Sequence, residues 1–93
     1  MLHCNYYNED CVKFSDSYEG EVDSVVTDPP YGIEYLGNDW DSYQNCIAFK
    51  KSTWESISKP LKPGGYLVIF GASKTFHRLT CAVEDSGLKI KDV

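Results

Sequence analysis

A short run of β-branched residues that stops at two consecutive prolines limits the fold of this chain more than any other feature. Val22–Thr27 predicts a strand, and it ends before Pro29 and Pro30 because proline has no N–H group to donate to a sheet. A second apolar run, Tyr66–Phe70, shows no alternation of apolar and polar residues. This pattern predicts a strand buried on both faces, as in a parallel sheet.

Helical segments around these strands complete an alternating pattern. Cys11–Ser17 has room for about two helical turns. Apolar residues at helical spacing predict a helix over much of Ser42–Lys59, with an acidic capping box at Asp41 and Gln44, and another over Thr75–Ser86, with a left-handed cap at Gly87. Two further strands are expected at Leu2–Tyr7 and from Leu88 to Val93. Strands that alternate with helices predict an α/β fold with a mostly parallel sheet, flanking helices and right-handed crossovers.

Size and composition limit what such a fold can contain. The 93 residues, 42% of them hydrophobic, suffice for one globular unit with one modest core. The longest apolar run, Tyr66–Phe70, is far too short to cross a membrane, and residues 1–10 lack the basic start and apolar run of a secretory signal. We therefore expect no membrane association and a cytoplasmic location.

The cysteines do not form a recognisable metal or redox motif. Cys4, Cys11, Cys46 and Cys81 are scattered, with no Cys-x-x-Cys pair, so reduced and mostly buried thiols are expected. His3 and His77 lack the spacing that would combine them with Cys4 and Cys11 around zinc. The prediction for metal ligands is therefore none.

Charge is distributed unevenly along the chain. Residues 1–49 contain ten acidic residues and one lysine, a net charge of −9, whereas residues 50–93 contain eight basic and four acidic residues, a net charge of +4. The second half is therefore the candidate surface for a polyanion, and lysines on solvated helix faces are the alternative interpretation.

The segment Thr27–Gly32, Thr-Asp-Pro-Pro-Tyr-Gly, carries the clearest chemical signal. It places a carboxylate, a rigid backbone and an aromatic ring directly after a strand, and α/β sheets bind ligands beyond the carboxyl ends of their strands. The alternative interpretation is purely structural: Pro29 and Pro30 end the strand, and Tyr31 packs on the core.

The sequence resembles the S-adenosylmethionine-dependent DNA methyltransferases that modify exocyclic amino groups of adenine or cytosine. The likeness rests on Val22–Gly32, on the Trp-containing loop Asn38–Asp41, and on the Leu-Lys-Pro-Gly-Gly turn that leads into a strand at Leu61–Phe70. These segments occur in the order typical of the family, over about residues 8–93. The resemblance implies a partial Rossmann-like methyltransferase domain, S-adenosylmethionine as cofactor and DNA as partner.

The resemblance also assigns residue roles. Asp28, Pro29, Pro30 and Tyr31 are the expected catalytic residues: Asp28 and a backbone carbonyl such as that of Pro29 accept the two N–H bonds of the amino group. Tyr31 offers a stacking face to a base swung out of the duplex. Tyr31, Gly32 and Trp40 are the expected substrate-binding residues.

Other positions have two interpretations each. Asp10 occupies the place of an acid that approaches the adenine of the methyl donor, or is a solvated acid in a turn. Trp40 lines the substrate cleft or, as the commoner use of an aromatic residue, packs a loop on the core. Three basic residues near the start of the last helix contact phosphate or lie on a solvated face: Lys74, His77 and Arg78.

The glycine-rich loop that holds the donor's methionine part in this family has no counterpart in the sequence. The resemblance therefore predicts that residues 1–93 are the N-terminal, catalytic-motif part of the domain, with the donor loop beyond Val93. Alone, this part is expected to be inactive and prone to self-association. Two alternatives remain: a non-catalytic α/β remnant or interaction module, and a protein-amide methyltransferase, which more often carries Asn where Asp28 stands. Asp28 also favours adenine over cytosine.

Overall fold

The computed structural model describes residues 3–93, which form a small α/β fold. The regular elements are α1 (Cys11–Ser17), β1 (Val22–Thr27), α2 (Lys51–Ser58), β2 (Leu61–Ile69) and α3 (Phe76–Asp85). Between β1 and α2 the chain makes three single 3-10 turns, at Tyr35–Gly37, Asp39–Asp41 and Ile47–Phe49.

The two strands pair in parallel, and the connection between them contains α2. Val22 pairs with Leu61, and after a shift of register Ser24 pairs with Tyr66 and Thr27 with Ile69. The pairing continues one step further, because the Phe70 N–H donates to the Thr27 carbonyl oxygen at 3.1 Å. The carboxyl ends of β1 and β2 therefore lie side by side.

The core lies between the helices and one side of the sheet. Its buried residues come from the 3-10 segment, α2 and α3: Cys46, Ala48, Trp54, Ile57, Leu79, Ala82 and Val83. Trp54 is 1% exposed, and its indole N–H donates to the Ala48 carbonyl oxygen at 2.9 Å, so its one polar atom is satisfied. On the sheet, Val25, Leu67 and Ile69 pack against this core.

Several predicted elements are confirmed. The bounds of α1 and β1 agree with the prediction, and α3 lies within the predicted Thr75–Ser86, with Thr75 and Ser86 as its flanking residues. Gly87 follows α3 with φ of +104°, a conformation that side chains disfavour.

The predicted helix over Ser42–Lys59 is wrong at its start, since α2 begins at Lys51. The expected capping box at Asp41 and Gln44 does not form either. The Asp41 carboxylate accepts hydrogen bonds from Gly32 and Tyr35, earlier in the chain, so it does not cap a following helix. A tertiary contact has replaced the local one.

The expectation for β2 is wrong in two respects. The strand begins at Leu61, so the predicted break at Lys62–Gly65 lies inside it, where the register shifts and Gly64 has φ of +81°. Burial of both faces is not found, because helices cover only one side. The other side exposes four apolar side chains, here called the bare face: Val26, Tyr66, Val68 and Phe70.

The predicted terminal strands are not found. Residues 3–7 and 88–93 have no strand structure, and Leu2 lies outside the described residues. Leu88 and Ile90 instead pack beside the core, so alternation there reflects one-sided burial without sheet pairing. No helix within residues 3–93 is long and apolar enough to cross a membrane. The expectation of mostly buried thiols is wrong too, since only Cys46 of the four cysteines is buried.

Candidate functional site

The end of β1 leads directly into the segment from Asp28 to Gly32, here called the motif turn. Asp28 is exposed and Tyr31 is partly buried. The Tyr31 hydroxyl donates a hydrogen bond of 2.5 Å to Oδ1 of Asp28. This bond raises the pKa of Tyr31, because it stabilises the protonated phenol beside a carboxylate. The structure thus brings together the predicted carboxylate and the predicted aromatic ring.

Three buried side chains, here called the holding residues, fix the inner side of the motif turn. The Cys46 thiol donates to the Pro30 carbonyl oxygen at 3.2 Å, and the Thr75 hydroxyl donates to the Tyr31 carbonyl oxygen at 2.5 Å. The Gly32 N–H donates to Oδ1 of Asp41 at 2.7 Å. Consecutive residues of the turn are therefore each bound to a different part of the chain.

Asp41 is an unusual carboxylate, because only 2% of it is exposed. Its second oxygen, Oδ2, accepts the Tyr35 N–H at 2.9 Å, and its backbone carbonyl accepts the Glu34 N–H at 2.8 Å. Burial by itself would raise the pKa of Asp41, but the backbone N–H groups that face the carboxylate outweigh burial and lower the pKa below its ordinary value. The group is therefore held as an anion.

The other holding residues are suited to donate. Cys46 is 1% exposed, and burial raises the pKa of its thiol, so the sulfur keeps the proton that it gives to Pro30. Thr75 is 4% exposed and immediately precedes α3. Since a buried carbonyl without a donor destabilises a fold by about 1 to 3 kcal/mol, these two contacts both stabilise and orient the turn.

Gly32 is required by the geometry of the turn. Its φ of +73° is unfavourable for residues with a side chain, and a Cβ atom there would overlap the Phe49 ring. After Gly32 the chain stays strained: Glu34 and Leu36 are non-glycine residues with φ of 56° and 54°. Such strain persists only where surrounding contacts impose it, and Asp41 supplies those contacts to Glu34 and Tyr35.

The outer side of the motif turn offers acceptors instead. Among residues 3–93, no hydrogen bond uses the Pro29 carbonyl oxygen or Oδ2 of Asp28. These oxygens belong to consecutive residues at the carboxyl end of a parallel strand, where α/β proteins bind their ligands. The turn can therefore bind a group that donates two N–H bonds.

The remaining predicted site residues are more scattered. Asp10 caps α1, and its Oδ1 accepts the N–H groups of Val12 and Lys13 at 2.9 and 3.2 Å. Trp40 is 57% exposed, so its expected packing on the core is wrong, while its substrate role stays a prediction. A cavity of about 260 Å³ beside the turn is lined by Gly32, Lys74 and Thr75 among others.

Two of the basic residues near α3 differ in their surroundings. Arg78 lies with its guanidinium 4.9 Å from the Tyr43 ring centroid and donates a hydrogen bond from Nε to the Tyr43 hydroxyl. His77 is exposed, in agreement with the solvated-face interpretation.

Comparison with known families decides the identity of the chain. The family model described as DNA methylase, of the N6/N4 methyltransferase type, matches residues 22–93. The chain belongs to this DNA methylase family. The matched range contains both strands, the motif turn and the holding residues. No curated protein and no solved structure matches this methylase.

Sequence reasoning missed the holding residues. Asp41 was expected to cap a helix, Cys46 to be a reduced thiol without a motif, and Thr75 only to begin a helix. Each contacts the turn from a position 9, 16 or 44 residues away. Local periodicity does not reveal such contacts. The one usable hint was that Asp41 is an acid next to Trp40 in a segment that lacks helical spacing.

Proposed function

We propose that this methylase transfers a methyl group from S-adenosylmethionine to the exocyclic amino group of adenine in DNA. The observation that carries the proposal is the pair of acceptors on the outer side of the motif turn. Asp28 Oδ2 and the Pro29 carbonyl oxygen are not used by any hydrogen bond within residues 3–93, and the adjacent residues are tightly held. Family membership supports DNA as the substrate.

The chemistry explains why two acceptors are needed. The lone pair of an aromatic amino group is delocalised into the ring, which makes the nitrogen a weak nucleophile. In the proposal Asp28 accepts one N–H and the Pro29 carbonyl accepts the other, so that the nitrogen becomes pyramidal and its lone pair is directed at the methyl group of the donor. S-adenosylmethionine supplies an electrophilic methyl group on a sulfonium centre. Preorganised acceptors lower the barrier because they need no reorganisation during the reaction.

Tyr31 has a separate task in this mechanism. Its hydroxyl bond to Asp28 holds the ring beside the acceptors, where the ring can stack on a base that has left the duplex. Pro29 and Pro30 restrict the backbone that carries the carbonyl, and Pro30 is further fixed by Cys46. The preference for adenine over cytosine rests on the family resemblance at Asp28.

The donor site is a proposal with less support. Asp10 caps α1 through Oδ1, and no residue within 3–93 donates to its Oδ2, so that oxygen fits the amino group of the donor's adenine ring. In this proposal residues 1–93 are the part of the catalytic domain that binds the target base. This part by itself is expected to bind the base without transferring methyl groups.

A second candidate function is an interaction module without catalysis. The observation that favours it is the bare face, whose residues Val26, Tyr66, Val68 and Phe70 are 47 to 66% exposed. Contiguous exposed apolar groups often mark a protein contact. This candidate predicts binding that does not depend on Asp28.

Binding of synthetic DNA separates the two candidates. The probes are fluorescent 12-residue thymidine oligonucleotides with one central adenine, cytosine or unsubstituted purine, because thymine and purine have no exocyclic amino group. We expect the adenine probe to bind best and the purine probe to lose about five- to tenfold in affinity, since two hydrogen bonds are lost. Equal affinity for adenine and purine in wild type and in Asp28→Ala would contradict the proposal.

A further inference from the structure

The most deeply buried acidic group among the described residues takes no part in the proposed reaction. Asp41 is almost completely buried, whereas Asp28 and most other acidic residues are exposed. A buried carboxylate is costly unless hydrogen bonds compensate its lost hydration. Asp41 has such bonds, and they come from the backbone that follows the catalytic motif. Its position therefore needs an explanation beyond stability.

We propose that Asp41 is a positioning residue, which fixes the motif turn and so sets the relative placement of Asp28, Pro29 and Tyr31. This inference rests on the proposed function of the turn. Asp41 touches neither base nor donor in the proposal, and it acts through the backbone of Gly32 and Tyr35.

The geometry links Asp41 to the reacting groups in few steps. Gly32 directly follows Tyr31, so the 2.7 Å bond from the Gly32 N–H to Asp41 fixes the peptide that joins these two residues. From the other side, Thr75 holds the carbonyl oxygen of Tyr31. A rotation of the Tyr31 backbone would break both bonds. The ring and its hydroxyl bond to Asp28 therefore keep one orientation.

The loop after the turn supports the same interpretation. Glu34 and Leu36 have the left-handed backbone that non-glycine residues avoid. The Asp41 carboxylate accepts the N–H of Tyr35, which lies between them, and the Asp41 backbone carbonyl accepts the N–H of Glu34. If Asp41 served stability alone, it would be expected to hold a relaxed loop. Instead, its contacts impose strain on the residues next to the reacting groups, a pattern found at functional sites.

A carboxylate suits this task better than other polar groups. It presents two acceptor oxygens and no donor, and Asp41 uses one oxygen for Gly32 and the other for Tyr35. An asparagine has one acceptor oxygen, and its NH₂ group would face one of the two backbone N–H groups. Asp41→Asn therefore removes one bond and adds a repulsive contact at nearly constant volume.

The test compares Asp41→Asn with Asp39→Asn, in which an exposed acid of the same 3-10 turn is changed. Amide hydrogen exchange of the full chain is followed by NMR at Gly32, at Tyr35 and, as the reference, at Val22 in β1, whose N–H donates to the Pro60 carbonyl oxygen at 2.7 Å. We expect exchange at Gly32 and Tyr35 to accelerate at least about tenfold in Asp41→Asn, with Val22 nearly unchanged. The control should leave these rates unchanged.

A second measurement reports on positioning and not on stability. The ¹³Cζ resonance of labelled Tyr31 is titrated with pH, because Asp28 raises the pKa of this phenol. We expect the pKa of Tyr31 to return toward its ordinary value in Asp41→Asn, and to stay raised in the control. Acceleration of Val22 together with Gly32, or an unchanged Tyr31 titration, would overturn the proposal in favour of a purely structural role.

The proposed function has its own failure signal. Asp28→Ala is expected to weaken discrimination between the adenine and purine oligonucleotides, because one of the two acceptors is lost, while Gly32 exchange stays slow. If that variant discriminates as well as wild type, the proposed function fails and the link between Asp41 and the turn geometry is still measured by exchange. For Asp41→Asn we expect weaker discrimination, at least threefold, with unchanged affinity for an all-thymidine probe. Full discrimination in this variant would also overturn the positioning role.

Discussion

The outer and inner sides of the motif turn use polar groups in opposite ways. On the outer side Asp28 is exposed, and the Pro29 carbonyl oxygen is unused by residues 3–93. On the inner side Asp41, Cys46 and Thr75 are at most 4% exposed, and each has a hydrogen bond to the turn. The difference shows that this chain can leave acceptors open on one side because the other side holds the same backbone firmly.

The largest expected effect is on the outer side, where a substitution should reduce methyl transfer without reducing the stability of the fold. Asp28→Ala in the full-length protein should lower methyl transfer by about 10²- to 10³-fold, since one preorganised polar contact is deleted. Transfer from tritium-labelled S-adenosylmethionine to unmethylated plasmid DNA measures it, and urea denaturation should show unchanged stability. Asp39→Ala, an exposed acid outside the turn, is the control. Near-normal transfer by Asp28→Ala would refute the assignment.

The second effect separates the ring of Tyr31 from its hydroxyl. Tyr31→Ala should weaken binding of the single-adenine oligonucleotide by about 5- to 150-fold, the usual worth of stacking a base on an aromatic ring. Tyr31→Phe should keep most of the affinity, because the hydroxyl bond to Asp28 is exposed to solvent. Fluorescence anisotropy gives both values, with Tyr6→Ala as control, since Tyr6 is 94% exposed. Equal loss of affinity in Tyr31→Phe and Tyr31→Ala would show that the hydroxyl, and not the ring, is the part that binds the base.

The third effect lies on the inner side and should appear as stability. Thr75→Val leaves the Tyr31 carbonyl oxygen without its donor and should lower the free energy of unfolding by about 1 to 3 kcal/mol. The matched control is Thr80→Val, also in or next to α3, whose hydroxyl donates only to carbonyls of its own helix. Urea denaturation compares the two. An equal loss of unfolding free energy in the two variants would mean that the Thr75 bond does not stabilise the turn.

The smallest effect is a pH dependence on the inner side. Because the folded-state pKa of Asp41 is lowered, its contribution to stability is complete above the unfolded pKa of about 3.9 and is lost as pH falls through the folded value. Asp41→Asn should therefore show a shallower loss of stability below about pH 4 than wild type. Asp16, whose pKa is lowered by its bonds to Lys59 and Ser56, contributes equally to both proteins. Parallel curves from urea denaturation at pH 3 to 7 would contradict this prediction.

The sequence predicted elements that depend on local rules and missed those that depend on tertiary contacts. Val22–Thr27 and Cys11–Ser17 were predictable because β-branched residues, prolines and a capping Asp10 act within a few residues. The start of α2 was not, because Asp41 binds Gly32 and Tyr35 instead of capping a helix. For β2, an apolar run predicted two covered faces, but the sheet is covered on one.

Trp40 and Asp41 show the limit most clearly. General burial preferences place a tryptophan inside and an aspartate outside, whereas here Trp40 is 57% and Asp41 2% exposed. Several backbone N–H groups near Gly32 need an acceptor, and that need outweighs the usual preference of Asp41 for the surface. A single sequence does not display which N–H groups will lack partners, so the candidate site was predictable in its exposed half only.

The buried thiol of Cys46 allows opening of the motif turn to be followed by chemical labelling. Cys4, Cys11 and Cys81 are exposed, so a maleimide dye would consume them at once, while Cys46 would react only when its bond to Pro30 opens. The rate of the slow fourth labelling step then measures how often this turn opens. It requires no engineered probe, and occupancy of the turn by a base would be expected to slow it.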